Sequence, residues 1–238
     1  MLFRLPRPLH GWREFFNEIV IVVIGVLLAL GGAQLIDTLR SRSEIASFRE
    51  TVNHELGRDL SIYQSMMASR PCVTRRTREL ERFLTDARAG HHDPLARPIG
   101  RPFMQTFYFS AWDNKGSAVT DQLPFELRTS YGEVYDEFRE NEKVLLNERD
   151  AWRSLAQFEQ PLPLDVASQL RLRELLSRVE QYNEVTPGNY EYIVTLARPL
   201  GIRPIRDTIV AHVPSDASFC QPLFARSKFQ VGDRSTAR

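Results

Sequence analysis

Cys72 and Cys220 are the only cysteines in the chain, and each lies beside a turn-forming proline, Pro71 and Pro222. An even count outside the apolar N-terminal run fits a disulfide made in an oxidising compartment; the alternative is two unrelated buried thiols. Next to Cys72 stands a basic cluster, Arg70, Arg75, Arg76 and Arg78, at a Pro71 corner and the opening turns of the helix expected after it. Positive charge there opposes the helix dipole by roughly a few tenths of a kcal/mol per residue. The cluster therefore calls for acidic partners, whether Glu79 and Glu81 nearby, a carboxylate on another helix, or an external anion such as a phosphate or lipid headgroup.

Metal and nucleophile chemistry finds less to work with. His54-Glu55 has the opening of a zinc-protease helix, but Arg58 stands where a second imidazole is required. His91-His92-Asp93 offers ligand types within a loop, HHDPLARPIGRP, whose prolines leave it solvated. There is no Gly-rich phosphate loop and no nucleophile elbow, and neither Ser117 nor Ser130 sits in an activating context. The carboxylate pairs Glu133/Glu137 and Glu140/Glu142 read as exposed helix faces. The aromatics Phe103, Phe107, Tyr108, Phe109 and Trp112 read as core, the alternative being a ligand pocket. The expectation is a protein with no catalytic residues, metal set or cofactor.

The element that positions everything else is Ile19 to Ile36, IVIVVIGVLLALGGAQLI, eighteen residues with no charge and one strongly polar side chain, Gln34. At about 1.5 Å per residue it covers roughly 27 Å, the thickness of a bilayer's hydrocarbon layer. Arg4, Arg7 and Arg13 before it and small residues at Gly31 and Ala33 also suit a cleaved signal peptide. Against cleavage stand Glu14 and Glu18 ahead of the apolar run and an apolar pattern that continues through Leu39, Ile45 and Phe48. An uncleaved anchor is expected, with Trp12, Phe15 and Phe16 at the near membrane face. Gly25, Ala29, Gly32 and Ala33 share one side of it and would let two such helices pair closely as a homodimer, although Gly and Ala are common in membrane helices generally. Arg40, Arg42 and Arg49 balance the arginines before the span, so charge does not set the orientation. The cysteines point to a periplasmic domain.

Beyond the span, Val52, Leu56, Leu60, Tyr63 and Met67 continue a helical stripe to Arg70-Pro71, and Val73, Leu80, Phe83, Leu84 and Ala87 mark a second helix ended by Gly90. Ser110 with Asp113 fits a helix start, and Pro124 with Asp121 as cap opens a longer helix whose stripe runs from Tyr131 to Phe158 and stops at Pro161. Asp165 caps a last long helix that Pro187-Gly188 should kink or briefly break. The remainder is irregular, with a short extended piece at Thr208 to Val213 and a disordered end from Asp233. The expected fold is all-α. Residues 1–18 form a short cytoplasmic segment and 19–36 the transmembrane helix. Residues 37–200 form an antiparallel four-helix-bundle-like domain, and 201–238 an irregular C-terminal segment.

The run His10-Gly11-Trp12-Arg13-Glu14-Phe15 followed by Gly25-Val26-Leu27-Leu28-Ala29-Leu30-Gly31 resembles a family of uncharacterised bacterial proteins with one N-terminal membrane helix. The likeness thins at Pro71-Cys72 with Arg75, Arg76 and Leu80, at Ala111-Trp112, and at Leu123-Pro124 with Tyr131. It implies an anchored helical domain and carries no catalytic residue. With 31 basic and 30 acidic side chains, no nucleic-acid partner is expected. The expected role is a membrane-anchored domain that acts through protein contacts in assembly or as an accessory factor. The alternative is a sensor-like domain that binds a small ligand.

Overall fold

The computed structural model describes residues 12–91, 94–159, 164–205 and 218–224. Every regular element among them is helical: α1 (Trp12–Ala68), α2 (Arg70–Arg88), the single turns α3 (Ser110–Asp113) and α4 (Ser117–Thr120), α5 (Phe125–Leu155) and α6 (Val166–Ala197). Short 3-10 turns cover Ala156–Glu159, Arg198–Leu200 and Ser218–Cys220. The extended piece expected at Thr208 to Val213, the end from Asp233, most of the segment before the span, and His92-Asp93 lie outside the described residues.

α1 is one uninterrupted helix of 57 residues that meets two different surroundings. Its most apolar 18-residue window has a mean hydropathy of 2.7 and none of it is buried, so this part is long and apolar enough to cross a membrane. Further along the same helix Val52, Leu56, Leu60 and Tyr63 are fully buried in the domain core. Apolar all round in the first half and striped in the second is the pattern of a helix passing from lipid into a packed protein.

Pro71 does not reverse the chain. It occupies the first turn of α2, where its missing N–H is not needed, and the break is limited to Ser69, whose carbonyl accepts from Cys72 N and Val73 N at 3.0 and 3.2 Å. Helix α2 therefore carries on in the sense of α1. The rungs to α5 advance together: Tyr131 to Asn53, Tyr135 to Glu55, Tyr63 to Asn141, Arg70 to Glu148. Thus α5 runs parallel to α1. Helix α6 runs back, with Asn183 donating to Thr74 and the Thr186 carbonyl accepting from Tyr63. The return stroke between α2 and α3 is made by an extended strap, described over residues 94–109, which brings Ile99 into the upper part of the core and Phe107 into the lower. The domain is therefore three helical columns and a strap, all-α as its sequence pattern indicates.

Local signals were obeyed unevenly. Asp165 caps α6, accepting from Ser168 N at 2.7 Å. Pro187 lies inside α6 without ending it; the fully buried Thr186 beside it holds the turn by donating from its hydroxyl to the Tyr182 carbonyl at 2.6 Å. Asp121 does not cap α5 and pairs instead with Arg128 at 3.8 Å. Residues 201–205 dock on α1 at Gly57, where Ile205 N donates to the Gly57 carbonyl at 3.1 Å. A Cβ at Gly57 would stand 2.8 Å from the Arg203 carbonyl oxygen, so only glycine admits this approach.

The upper and lower clusters of the core meet at one buried ion pair. The Arg70 guanidinium donates to both Glu148 oxygens at 2.8 and 3.0 Å, and Trp152 Nε1 donates to Glu148 Oε1 at 3.4 Å. The two charged side chains are 8% and 0% exposed. Removing one partner strands the other charge in the core, so Glu148→Gln or Arg70→Met should each cost about 3 to 5 kcal/mol in urea unfolding. The double variant Arg70→Met with Glu148→Leu should recover most of that loss.

Candidate functional site

The end of the domain farthest from the apolar half of α1 is a clamp built on α2. Cys72, in the first turn of that helix, is disulfide-bonded to Cys220, with Cα atoms 4.9 Å apart and a sequence separation of 148. The bond brings residues 218–224 onto the upper core, where Phe219 packs edge-on against Trp152 at 5.2 Å and Leu223 is fully buried. A tight turn of this kind leaves carbonyls without N–H partners. Arg76 supplies them: its Nη2 donates to Phe219 O at 2.8 Å and Gln221 O at 3.0 Å, with Ser218 O at 3.5 Å. Arg75 donates to the Cys220 carbonyl. Glu79 stands 3.9 Å from Arg76 and accepts from Leu223 N at 3.1 Å, and the strap joins in through Ala96 N on the Leu223 carbonyl at 3.0 Å. Burial draws the Arg76 pKa down and Glu79 opposes the shift.

Placed on this geometry, the arginine cluster divides. Arg70 and Arg76 are buried and serve Glu148 and the C-terminal carbonyls, so the reading of these two as contacts for an external anion does not hold. Arg75 and Arg78 are exposed and border a groove of about 620 Å³ beside the disulfide, together with Pro71, Arg82, Pro222 and Phe224. Such a groove, which Thr74 and Glu79 also line, can attract an anion through its guanidinium groups.

Lower in the domain, acidic side chains on the inward stripe hold the strap and α3. Glu55 accepts from Ser110 Oγ at 2.7 Å, Ala111 N at 2.9 Å and Tyr135 OH at 2.8 Å. It thereby caps a one-turn helix whose N-cap residue, Phe109, has no side chain to do so. Asp59, fully buried, accepts from Tyr108 N at 3.0 Å, and Glu142 from Phe107 N at 3.3 Å. Burial pushes the Asp59 carboxyl up to about 8, with Glu55 and Glu142 adding to the shift and the Tyr108 N–H and Arg58 opposing it. Burial and the bond to Glu55 raise the Tyr135 phenol well above its ordinary value. Arg58 stacks 4.1 Å above the Tyr108 ring, and a cavity of about 300 Å³ lies between them, His54 and Asn114. These carboxylates are engaged in holding backbone, and no group of side chains among the described residues could hold a metal ion.

The aromatic run is core, but on the strap rather than on a helix as far as Phe109. Phe107 and Trp112 are buried, the first against Phe138 at 4.8 Å and the second stacked on Tyr135 at 5.2 Å. Gly25, Ala29, Gly32 and Ala33 are exposed along the bare half of α1, and a Cβ built at Gly25 or Gly32 would meet nothing within 4 Å. Sequence reasoning passed over Asp59 and Glu148, and weighed Glu55 only as a neighbour of His54. Each falls in register with buried apolar neighbours, Glu55 with Val52, Asp59 with Leu56 and Tyr63, and Glu148 with Leu145 and Trp152, and an acid on an apolar stripe was the available signal.

No protein-family model, curated protein or solved structure matches this chain. The resemblance across residues 10–36 rests on its own motifs.

Two outcomes follow from the site. Because the folded-state pKa of Asp59 lies above its ordinary 3.8, its contribution to stability is complete below about pH 4 and is lost as pH rises through about 8. The stability of Asp59→Asn relative to the parent should therefore rise across that window, by more than about 1 kcal/mol, since one pKa unit corresponds to 1.36 kcal/mol. Denaturant unfolding at pH 4, 6 and 8 measures it. For the disulfide, protein isolated without reductant should resist alkylation at both thiols. Cys72→Ser with Cys220→Ser should lower stability by as much as about 4 to 5 kcal/mol, the chain-entropy figure for a loop of this size.

Proposed function

We propose that this chain is an uncleaved, single-pass protein of a bacterial inner membrane. Its helical domain stands on the periplasmic side and acts without catalysis, as an assembly or accessory factor working through protein contacts. The observation that carries the reading is α1: one helix, bare through its apolar half and buried in the domain through its other half, with no break between them. A cleavage near Ala33 would cut this helix in its interior. The Cys72–Cys220 pair supports an oxidising compartment. The engagement of Glu55, Asp59, Glu79 and Glu148 in structural hydrogen bonds supports a role in contact rather than chemistry. Close pairing of two copies through Gly25, Ala29, Gly32 and Ala33 fits the same reading.

A sensor-like role is favoured by one feature, the groove bordered by Arg75 and Arg78, which would take a small anion. Copurification from membranes in mild detergent separates the two readings: a stoichiometric protein partner is expected, and a retained small anion without a partner would favour the sensor. Topology is tested by reporters fused after Arg238. A periplasmic reporter should be active and a cytoplasmic one silent, and intact mass of the membrane fraction should include the residues before Gln34.

A further inference from the structure

We infer that the foot of the domain, the turn from Gln122 to Phe125, rests in the headgroup layer of the bilayer, with the Phe125 ring as its apolar contact. The inference rests on the reading of Ile19 to Ile36 as the membrane span. Ser41 Oγ of α1 donates to the Gln122 side chain, which fixes the height of this turn along the helix. From Ile36 to Ser41 the helix rises only about 7.5 Å. The polar layer on each side of the hydrocarbon is itself about 5 to 7 Å thick. No break in α1 separates the two points, so the contact between Ser41 and Gln122 falls at the outer edge of the headgroups.

The residues at that height suit the position. Leu123 is buried and holds the turn to the domain, while Phe125, two residues on, is 68% exposed. Beyond the apolar half of α1, Phe125 is the one phenylalanine among the described residues with a strongly exposed ring. It opens α5, which runs away from the membrane, and helical side chains lean toward the helix N-terminus, here toward the bilayer. Arg128 lies 5.8 Å from the Phe125 ring and can reach the phosphate layer while the ring sits deeper. Leu39, also exposed, lies on α1 between the span and Ser41, in the same layer. The lipid surface is the occupant because it is already there, continuous with the span. A domain held at both α1 and the foot would have its tilt against the membrane set, which a single helix does not do.

The test uses the full chain in nanodiscs of phosphatidylethanolamine and phosphatidylglycerol, with and without lipid brominated high on its acyl chains. A bimane label is placed through Glu126→Cys beside an intact Phe125, through Ala167→Cys at the far end of the domain, and through Leu27→Cys in the span. Bromolipid quenching at 126 should exceed that at 167 by at least about threefold, as for an aromatic anchor in the interface. It should fall toward the level at 167 when Phe125→Ser is added, a change at an exposed position that leaves the helical circular dichroism intact. Equal quenching at 126 and 167 with strong quenching at 27 would overturn the foot and leave the span standing; no quenching at 27 would remove both. Disulfide-linked dimers formed by the unlabelled Glu126→Cys variant, with quenching of the labelled one no stronger than at 167, would assign this surface to a second copy and overturn the lipid contact.

Discussion

A helix whose first half is apolar on every side and whose second half is apolar on one stripe places a strong constraint on what can be built around it. Ending α1 where the apolar run ends would leave its last four carbonyls without partners at that boundary. The chain instead continues the same hydrogen-bond ladder into the domain, so α1 carries both the apolar run and the first wall of the core. The direction of every later element follows. With α1 and α2 running outward together, and α5 running outward again beside them, the chain must come back between α2 and α5, and it does so in the extended strap. Among the described residues only α6 supplies a helical return.

That arrangement asks for directional contacts, because a strap and a C-terminal segment have few apolar stripes with which to set their own register. The directions come from side chains on the helices. Glu55, Asp59 and Glu142 accept strap and α3 groups in the lower part, while Glu159 accepts from Ile99 N at 2.8 Å and Glu79 from Leu223 N in the upper part. Arg76 does the converse for carbonyls. An apolar contact tolerates a slide of an ångström or two, whereas a carboxylate facing a backbone N–H does not. The cost is burial of charge, visible in the raised pKa of Asp59 and the lowered one of Arg76.

The two ends of the domain are consequently different in kind. The far end is closed by the Cys72–Cys220 bond and Arg76, beside a groove edged with arginine. The near end is a pair of single-turn helices and a tight turn against the base of α1, with an exposed aromatic ring. A domain built this way holds its far end at a set distance from the apolar half of α1.

What the amino-acid sequence determined by itself were the features that depend on near neighbours: the apolar run and its length, the helical stripes, the Asp165 cap, and two cysteines outside the apolar run. Each rests on a local rule, a period of 3.6 residues or a side chain reaching its own backbone. Tertiary structure decided the rest. Pro71 has the same local chemistry at a corner and in the first turn of a continuing helix, and tertiary contacts of α2, among them Arg70 with Glu148 and Asn183 with Thr74, go with the second. The aromatics from Phe103 to Phe109 are apolar whether helical or extended, and it is Asp59 and Glu142, 49 and 35 positions away in sequence, that hold the backbone at Tyr108 and Phe107 extended. The arginines looked alike as a cluster because they share charge and spacing. Burial, which only the packed domain confers, made Arg70 and Arg76 internal braces and left Arg75 and Arg78 at the surface.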